Sequence, residues 1–173
     1  MHATTSPAPL AARVDGRRPE PDARSSWRWR GRALVAGAVG LVLVVALSGC
    51  SSLEQTHIRD LANGFRAGNG RPSLSDDAVL DAKASAVART IADTHTLTHS
   101  NLADGVSPGW LKLGENIGYG PTMDAVEQAY EGSPPHRANL LDGAFDRIGT
   151  GYAVGACPAG GTCVYTVQEF AQY

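Results

Sequence analysis

Apolar positions fall into three patterns along the chain. The first is an uncharged run, residues 33–47. It is short for a spanning helix and has the length of a secretion-signal core. The second is helical. Ile58, Leu61, Ala62 and Phe65 recur at i, i+3, i+4 and i+7, one face of a helix. Ser52 with Gln55 predicts its capping box, and Gly68-Asn69-Gly70 before Arg71-Pro72 predicts its end. Leu80, Ala84, Val87, Ala88 and Ile91 make a second stripe to about residue 93, with Ser75 as N-cap and Asp76 and Asp77 in the first turn. Its alanines permit close packing. A third helix, 123–131, buries Val126, Ala129 and Tyr130 and stops at Gly132. Ser133 caps a fourth, with Pro134 at its first position and Leu140 and Leu141 inward. The third pattern alternates. Val164, Thr166, Gln168 and Phe170 oppose Tyr165, Val167 and Glu169, so 146–155 and 163–170 read as two antiparallel strands. Between these elements, 94–100 favours extended chain, 101–113 reads as a loop pinned by Trp110, Leu111 and Leu113, and 114–117 as a turn.

Charge divides the chain in two. Residues 1–49 carry seven Arg against three acids, while the rest carries eight basic and fourteen acidic side chains. A mildly acidic domain argues against nucleic acid as partner. Residues 1–26 are rich in Pro, Arg, Ala and Ser without apolar periodicity and read as a disordered extension. Arg28, Arg30 and Arg32 precede the uncharged run, and Leu47-Ser48-Gly49-Cys50 follows it. The tetrapeptide resembles a bacterial lipobox. On that reading 27–49 is a lipoprotein signal peptide, Cys50 is lipidated and starts the mature chain, and 50–56 is a linker. The protein then sits on the extracytoplasmic face of a bacterial membrane. An ordinary signal peptide or an uncleaved anchor is the alternative. Stable attachment needs more than one acyl chain.

Candidate chemistry lies in two histidines and one glutamate. His136 falls in the first turn of the fourth helix, where the dipole favours a neutral imidazole that can bind metal or act as a base. His99 lies upstream in extended chain, and Glu115 with Asn116 between them. His95 and His99 are four apart, but the Thr-rich context is not helical, so they make no local pair. His57 reads as an exposed polar-face residue. Cys157 and Cys163 flank a turn-rich loop in an exported chain and read as a disulfide; two free thiols are the alternative. No HExxH and no Ser or Cys nucleophile with a paired base is visible.

Five features in order carry a resemblance: the Arg66-x-x-x-Gly70 pattern within 61–74, His99-Ser100, Gly114-Glu115-Asn116-Ile117, Ser133-Pro134-Pro135-His136-Arg137-x-Asn139-Leu140-Leu141, and Ile148-Gly149-x-Gly151 before Tyr165-x-Val167-Gln168-x-Phe170. Together they resemble the CAP superfamily, also called SCP domains, in its small bacterial form, over residues 58–170; the domain is taken as 57–173. The resemblance implies an α+β fold, a three-layer α-β-α sandwich with a small antiparallel sheet. It also implies a cleft of two His and two Glu that holds zinc or another divalent ion in some members. His99 and His136 match the histidines and Glu115 the first glutamate. Ser133 stands where the second glutamate belongs, and Tyr130 where Trp is usual.

The expectation is therefore a monomeric, membrane-anchored binding module. It takes an envelope ligand (a lipid, a cell-wall fragment or a protein) in a cleft of His99, Glu115, His136, Asn116 and Ser133. The alternative is a metal-dependent hydrolase with His99 and His136 as ligands to zinc, whose open position activates water. A structural role for the same polar residues is the plain alternative to both.

Overall fold

The computed structural model describes the backbone of residues 10–15 and all of residues 52–173. The signal-peptide and lipobox readings, Cys50 included, lie outside the described residues. The element order is β1 (Leu10–Asp15), α1 (Leu53–Gly68), β2 (Ser75–Asp76), α2 (Ala78–Thr94), β3 (Lys112–Gly120), α3 (Met123–Gly132), α4 (Pro134–Leu140), β4 (Arg147–Ala156) and β5 (Thr162–Gln172). The sheet runs β1-β3-β5-β4-β2. Every pairing is antiparallel except the two-residue parallel pairing of β2 with β4.

Helices cover both faces, giving the α+β three-layer sandwich. On one face Ala62 of α1, Val126 and Tyr130 of α3 and Leu140 of α4 pack on Ile148 and Phe170. On the other, Ala84, Ala88 and Ile91 of α2 pack on Ile117, Tyr165 and Val167. Strand alternation does the sorting, because successive side chains point to opposite faces. Ile148 and Phe170 pair across the ladder and share the first face; Ile117 and Val167 pair and share the second.

The close seating of α2 depends on two glycines of β4. A Cβ on Gly149 would lie 2.1 Å from the Leu80 carbonyl carbon, and one on Gly151 2.1 Å from the Ala84 carbonyl oxygen. The α2 backbone therefore lies directly on β4. Two polar side chains close that strand's outer edge. Asp81 Oδ1 accepts from the Thr150 amide at 2.7 Å, and Gln55 Nε2 donates to the Thr150 carbonyl at 2.7 Å. Gln55 also completes the expected capping box with Ser52.

Arg66 is the other unusual polar element of the frame. It is 1% exposed. Its guanidinium donates to the carbonyls of Pro72 at 2.8 Å, Leu140 at 2.7 Å and Asp142 at 3.0 Å. It thereby ties the end of α1 to the end of α4 and satisfies helix-terminal carbonyls that have no helical partner.

The sequence reading needs four corrections. The stretch read as a loop and a turn, 112–117, is the start of β3; its Gly and Asn lower strand propensity, but pairing with β5 along its whole length overrides that. The N-cap of α2 is Asp77, whose Oδ1 accepts from the amides of Val79 and Leu80 at 2.9 and 3.1 Å, while Ser75 and Asp76 form β2. Ser133 occupies the N-cap position of α4 but makes no side-chain cap bond. Finally, within the extension read as disordered, Leu10–Asp15 is a strand on the outer edge of β3. Missing apolar periodicity denies a segment a core face; it does not deny it ladder hydrogen bonds.

Candidate functional site

β3 and β5 set the site, because Glu115 and Asn116 are neighbours on β3 and face opposite sides of the sheet. Glu115 lies opposite Glu169 in the ladder, and Asn116 opposite Gln168. Two helix-covered faces turn these four polar side chains inward, and all four are buried. Buried polar groups need partners, and the two sets find different ones.

On the α2 face, His99 Nδ1 meets Glu115 Oε1 at 2.5 Å, and the Ser100 amide donates to the same oxygen at 3.1 Å. Lys83 Nζ reaches Glu169 Oε1 at 2.9 Å, and also donates to Ser100 Oγ at 2.8 Å and the Leu102 carbonyl at 3.2 Å. Burial, then the Glu115 charge, raises the Glu169 carboxyl to about 8. Burial also works to raise Glu115, but hydrogen bonds from His99, Ser100 and Glu169 outweigh it and hold Glu115 below the usual range. The pair therefore shares one proton at neutral pH, held on Glu169, and its remaining charge balances Lys83. The other ring nitrogen of His99 is Nε2. That atom is buried with no hydrogen-bond partner among the described residues.

On the α3/α4 face, His136 Nδ1 meets Ser133 Oγ at 2.7 Å, and its ring lies 5.1 Å from that of Tyr130. Ser133 thus spends its hydroxyl on the imidazole instead of on the helix amides. Asn116 Nδ2 donates to the His136 carbonyl at 3.3 Å and to Gln168 Oε1 at 3.0 Å, and Asn139 Nδ2 donates to Asn116 Oδ1 at 2.9 Å. Gln168 Nε2 in turn donates to Glu127 Oε2 at 2.6 Å. Burial, then the Glu131 charge, raises Glu127 to about 8, so it too is protonated at neutral pH. Tyr130 replaces the expected Trp usefully: its hydroxyl donates to the Thr166 carbonyl at 2.9 Å.

The residues expected in one cleft thus form a polar core in two halves, joined through β3. Glu115, Asn116 and His136 are buried, whereas His99 is 18% exposed and lines an open groove. The groove is about 570 Å³ and runs along α2 to the 96–100 segment, with Ala86, Val87, Thr90, Ile91 and Thr94 along its wall. That volume is in the range of small-molecule sites. Sequence reasoning missed Lys83, Glu127, Gln168 and Glu169 as members of the network. The available signal was Gln168-Glu169 inside an otherwise apolar alternation.

The divalent ion that the resemblance implies does not fit these donors. Among the described residues, no group of three or more His, Cys, Asp or Glu could hold a metal. Glu115 and Ser133 already engage Nδ1 of the two histidines. Elsewhere, His57 pairs with Asp124 at 3.1 Å, and His95 ends α2 in a left-handed conformation, so neither joins the site. Cys157 and Cys163 form a disulfide.

The family model described as "Cysteine-rich secretory protein family", CAP, matches residues 59–170. The chain belongs to the CAP family. Among solved structures, an extracellular SCP-domain protein from Bacillus anthracis is 23% identical with a TM-score of 0.55, over 69% of this chain and 40% of that one. An outer surface protein from Borrelia burgdorferi is 18% identical with a TM-score of 0.50, over 68% and 90%. A cysteine-rich secretory protein from Staphylococcus aureus is 18% identical with a TM-score of 0.50, over 69% and 39%. The chain thus spans about two fifths of the Bacillus and Staphylococcus proteins. At these identities the likeness is one of fold. No curated protein matches. Within this fold, His99 lies against Glu115 and His136 against Ser133.

Proposed function

We propose that this CAP domain is an extracytoplasmic binding module, anchored through Cys50, that takes an amphipathic envelope molecule in the groove along α2. The carrying observation is the groove itself: an apolar wall from α2 with His99 at its margin. An apolar chain laid there removes Val87 and the threonine methyls from water, at about 25 cal/mol per Å². A polar group of the ligand meets the part-exposed His99 side chain at the groove margin. The extracytoplasmic location is supported by the signal-like run before Cys50 and by relatives described as extracellular or outer surface proteins.

The test is native mass spectrometry of the protein extracted from its own envelope in mild detergent. A bound acyl-bearing molecule is expected on the native chain and not on Thr90→Trp, whose indole fills the groove. Equal occupancy of both proteins would place binding elsewhere; the absence of any such molecule from the native chain would reject the reading.

A further inference from the structure

Helix α1 begins close to the proposed anchor. Residues 50–56, read from sequence as a linker, are helix from Leu53 onward. A capping box fixes that start: the Gln55 amide donates to Ser52 Oγ at 3.2 Å, and Gln55 Oε1 accepts from the Ser52 amide at 2.8 Å. Cys50 precedes Ser52 by two residues, about 7 Å of fully extended chain. Acyl chains on Cys50 therefore hold the first turn of α1 at the membrane surface, with no room for a tether.

The surface at that end is apolar. Thr150 Oγ1 donates to the Gln55 carbonyl at 2.8 Å, and α1 continues from there to Ala62 in the cluster of Ile148 and Phe170. Its N-terminus thus points along β4 toward the β4–β5 hairpin. Residues 150–166 of that hairpin contain no Asp, Glu, Lys, Arg or His. Tyr152 and Val154 share the face of Thr150 by strand alternation. Leu53 is 87% exposed and Val154 55%, two of the four exposed large hydrophobic side chains among the described residues. Leu53 leans off the end of α1, because helical side chains tilt toward the N-terminus. Tyr152 is half-buried, and tyrosine suits a lipid–water boundary. Glu54 in the same turn, and the His57–Asp124 pair one turn further on, supply a polar rim.

We infer that this end of the domain, Leu53 with the charge-free β4–β5 hairpin, is a lipid-docking surface that lies in the membrane interface. Chain length names the occupant, since the acyl chains enter the bilayer within about 11 Å of Leu53. A hairpin without charges gives up no hydrated ion on entering the interface. α2 runs beside β4 toward the same end: a Cβ on Gly155 would lie 3.1 Å from the Ala92 carbonyl oxygen. Docking therefore sets the Thr94 end of the groove at the bilayer, where an acyl-bearing molecule enters it without crossing bulk water. The inference rests on anchoring through Cys50 and adds the face that the domain turns to the membrane.

The test uses the full chain, processed in a bacterial host and reconstituted in phosphatidylcholine–phosphatidylglycerol vesicles that carry a nitroxide lipid. A nitrobenzoxadiazole label is placed on Val154→Cys at the hairpin, or on Val79→Cys where α2 starts, at the opposite end of β4. Cys157 and Cys163 are bridged and Cys50 is acylated, so the new thiol alone reacts. Quenching by the lipid is expected to be at least about threefold stronger at 154 than at 79. It falls when Leu53→Asp is added, an acid that a helix N-terminus accepts. Equal quenching at the two positions on a lipidated chain would overturn the docking surface and leave the anchor standing. Quenching at 154 that Leu53→Asp leaves unchanged would overturn it as well, by assigning the contact to the acyl chains alone. An unmodified Cys50 in the intact mass would overturn the anchor and the docking with it.

Discussion

Glu127 and Glu169 carry protons at neutral pH, each raised to about 8 with burial as the first cause. Unfolded, both ionise near the ordinary glutamate value of about 4.3. Between that value and about 8 the folded state holds protons that the unfolded chain has lost, so stability falls as pH rises through that window. Glu115, held low, acts oppositely and costs stability only as pH drops below the unfolded value. The native chain is therefore expected to be most stable near about pH 5. Its stability falls as pH rises from there to about 8, measured by urea unfolding. Glu127→Gln keeps a neutral partner for Gln168 and flattens that slope; an unchanged slope would contradict the assignment. Arg66→Ala leaves three carbonyls without their charged donor and costs about 2–4 kcal/mol in the same assay. The Arg66-x-x-x-Gly70 pattern was visible in the sequence, but its purpose was not, since the recipients at Leu140 and Asp142 come from another helix end.

At the scale of elements, the contact of α2 with β4 is set by missing side chains. Gly151→Ala drives a methyl into the Ala84 carbonyl and is expected to destabilise by about 3 kcal/mol or more, because the helix backbone must shift. Ala153, whose side chain packs in the α2 cluster, offers the contrast: Ala153→Ser should cost less, as read by thermal unfolding. Reducing the Cys157–Cys163 bridge, which closes a loop of sequence separation six, should cost about 2 kcal/mol by the chain-entropy estimate. Which elements could be read follows from how each is stabilised. α1, α3 and α4 show apolar periodicity and capping residues, and β5 shows alternation. β3 showed neither, because helices cover both its faces and its own residues are Gly, Glu and Asn. It exists through its ladder to β5, a long-range partner that local pattern does not encode. The same cause hid the polar core. Glu115 and Asn116 stood out by motif, but Lys83, Glu127 and Glu169 became partners only when three elements met.

For the whole molecule, the family and the α-β-α layering were legible from five short motifs, whereas the grouping of the polar residues was not. One cleft was expected; the sheet divides the candidates between its faces, and His99 lines a groove that no motif announced. The central claim is that this groove, with His99 at its margin, takes an amphipathic ligand. The most direct measurement is a titration of the chain with a fluorescent long-chain fatty acid, beside Thr90→Trp and His99→Ala. The account predicts saturable one-to-one binding by the native chain, loss of at least about tenfold in affinity when Thr90→Trp fills the groove, and a smaller loss when His99→Ala removes only the polar contact. Native-like binding by Thr90→Trp, or no binding by the native chain, would contradict it.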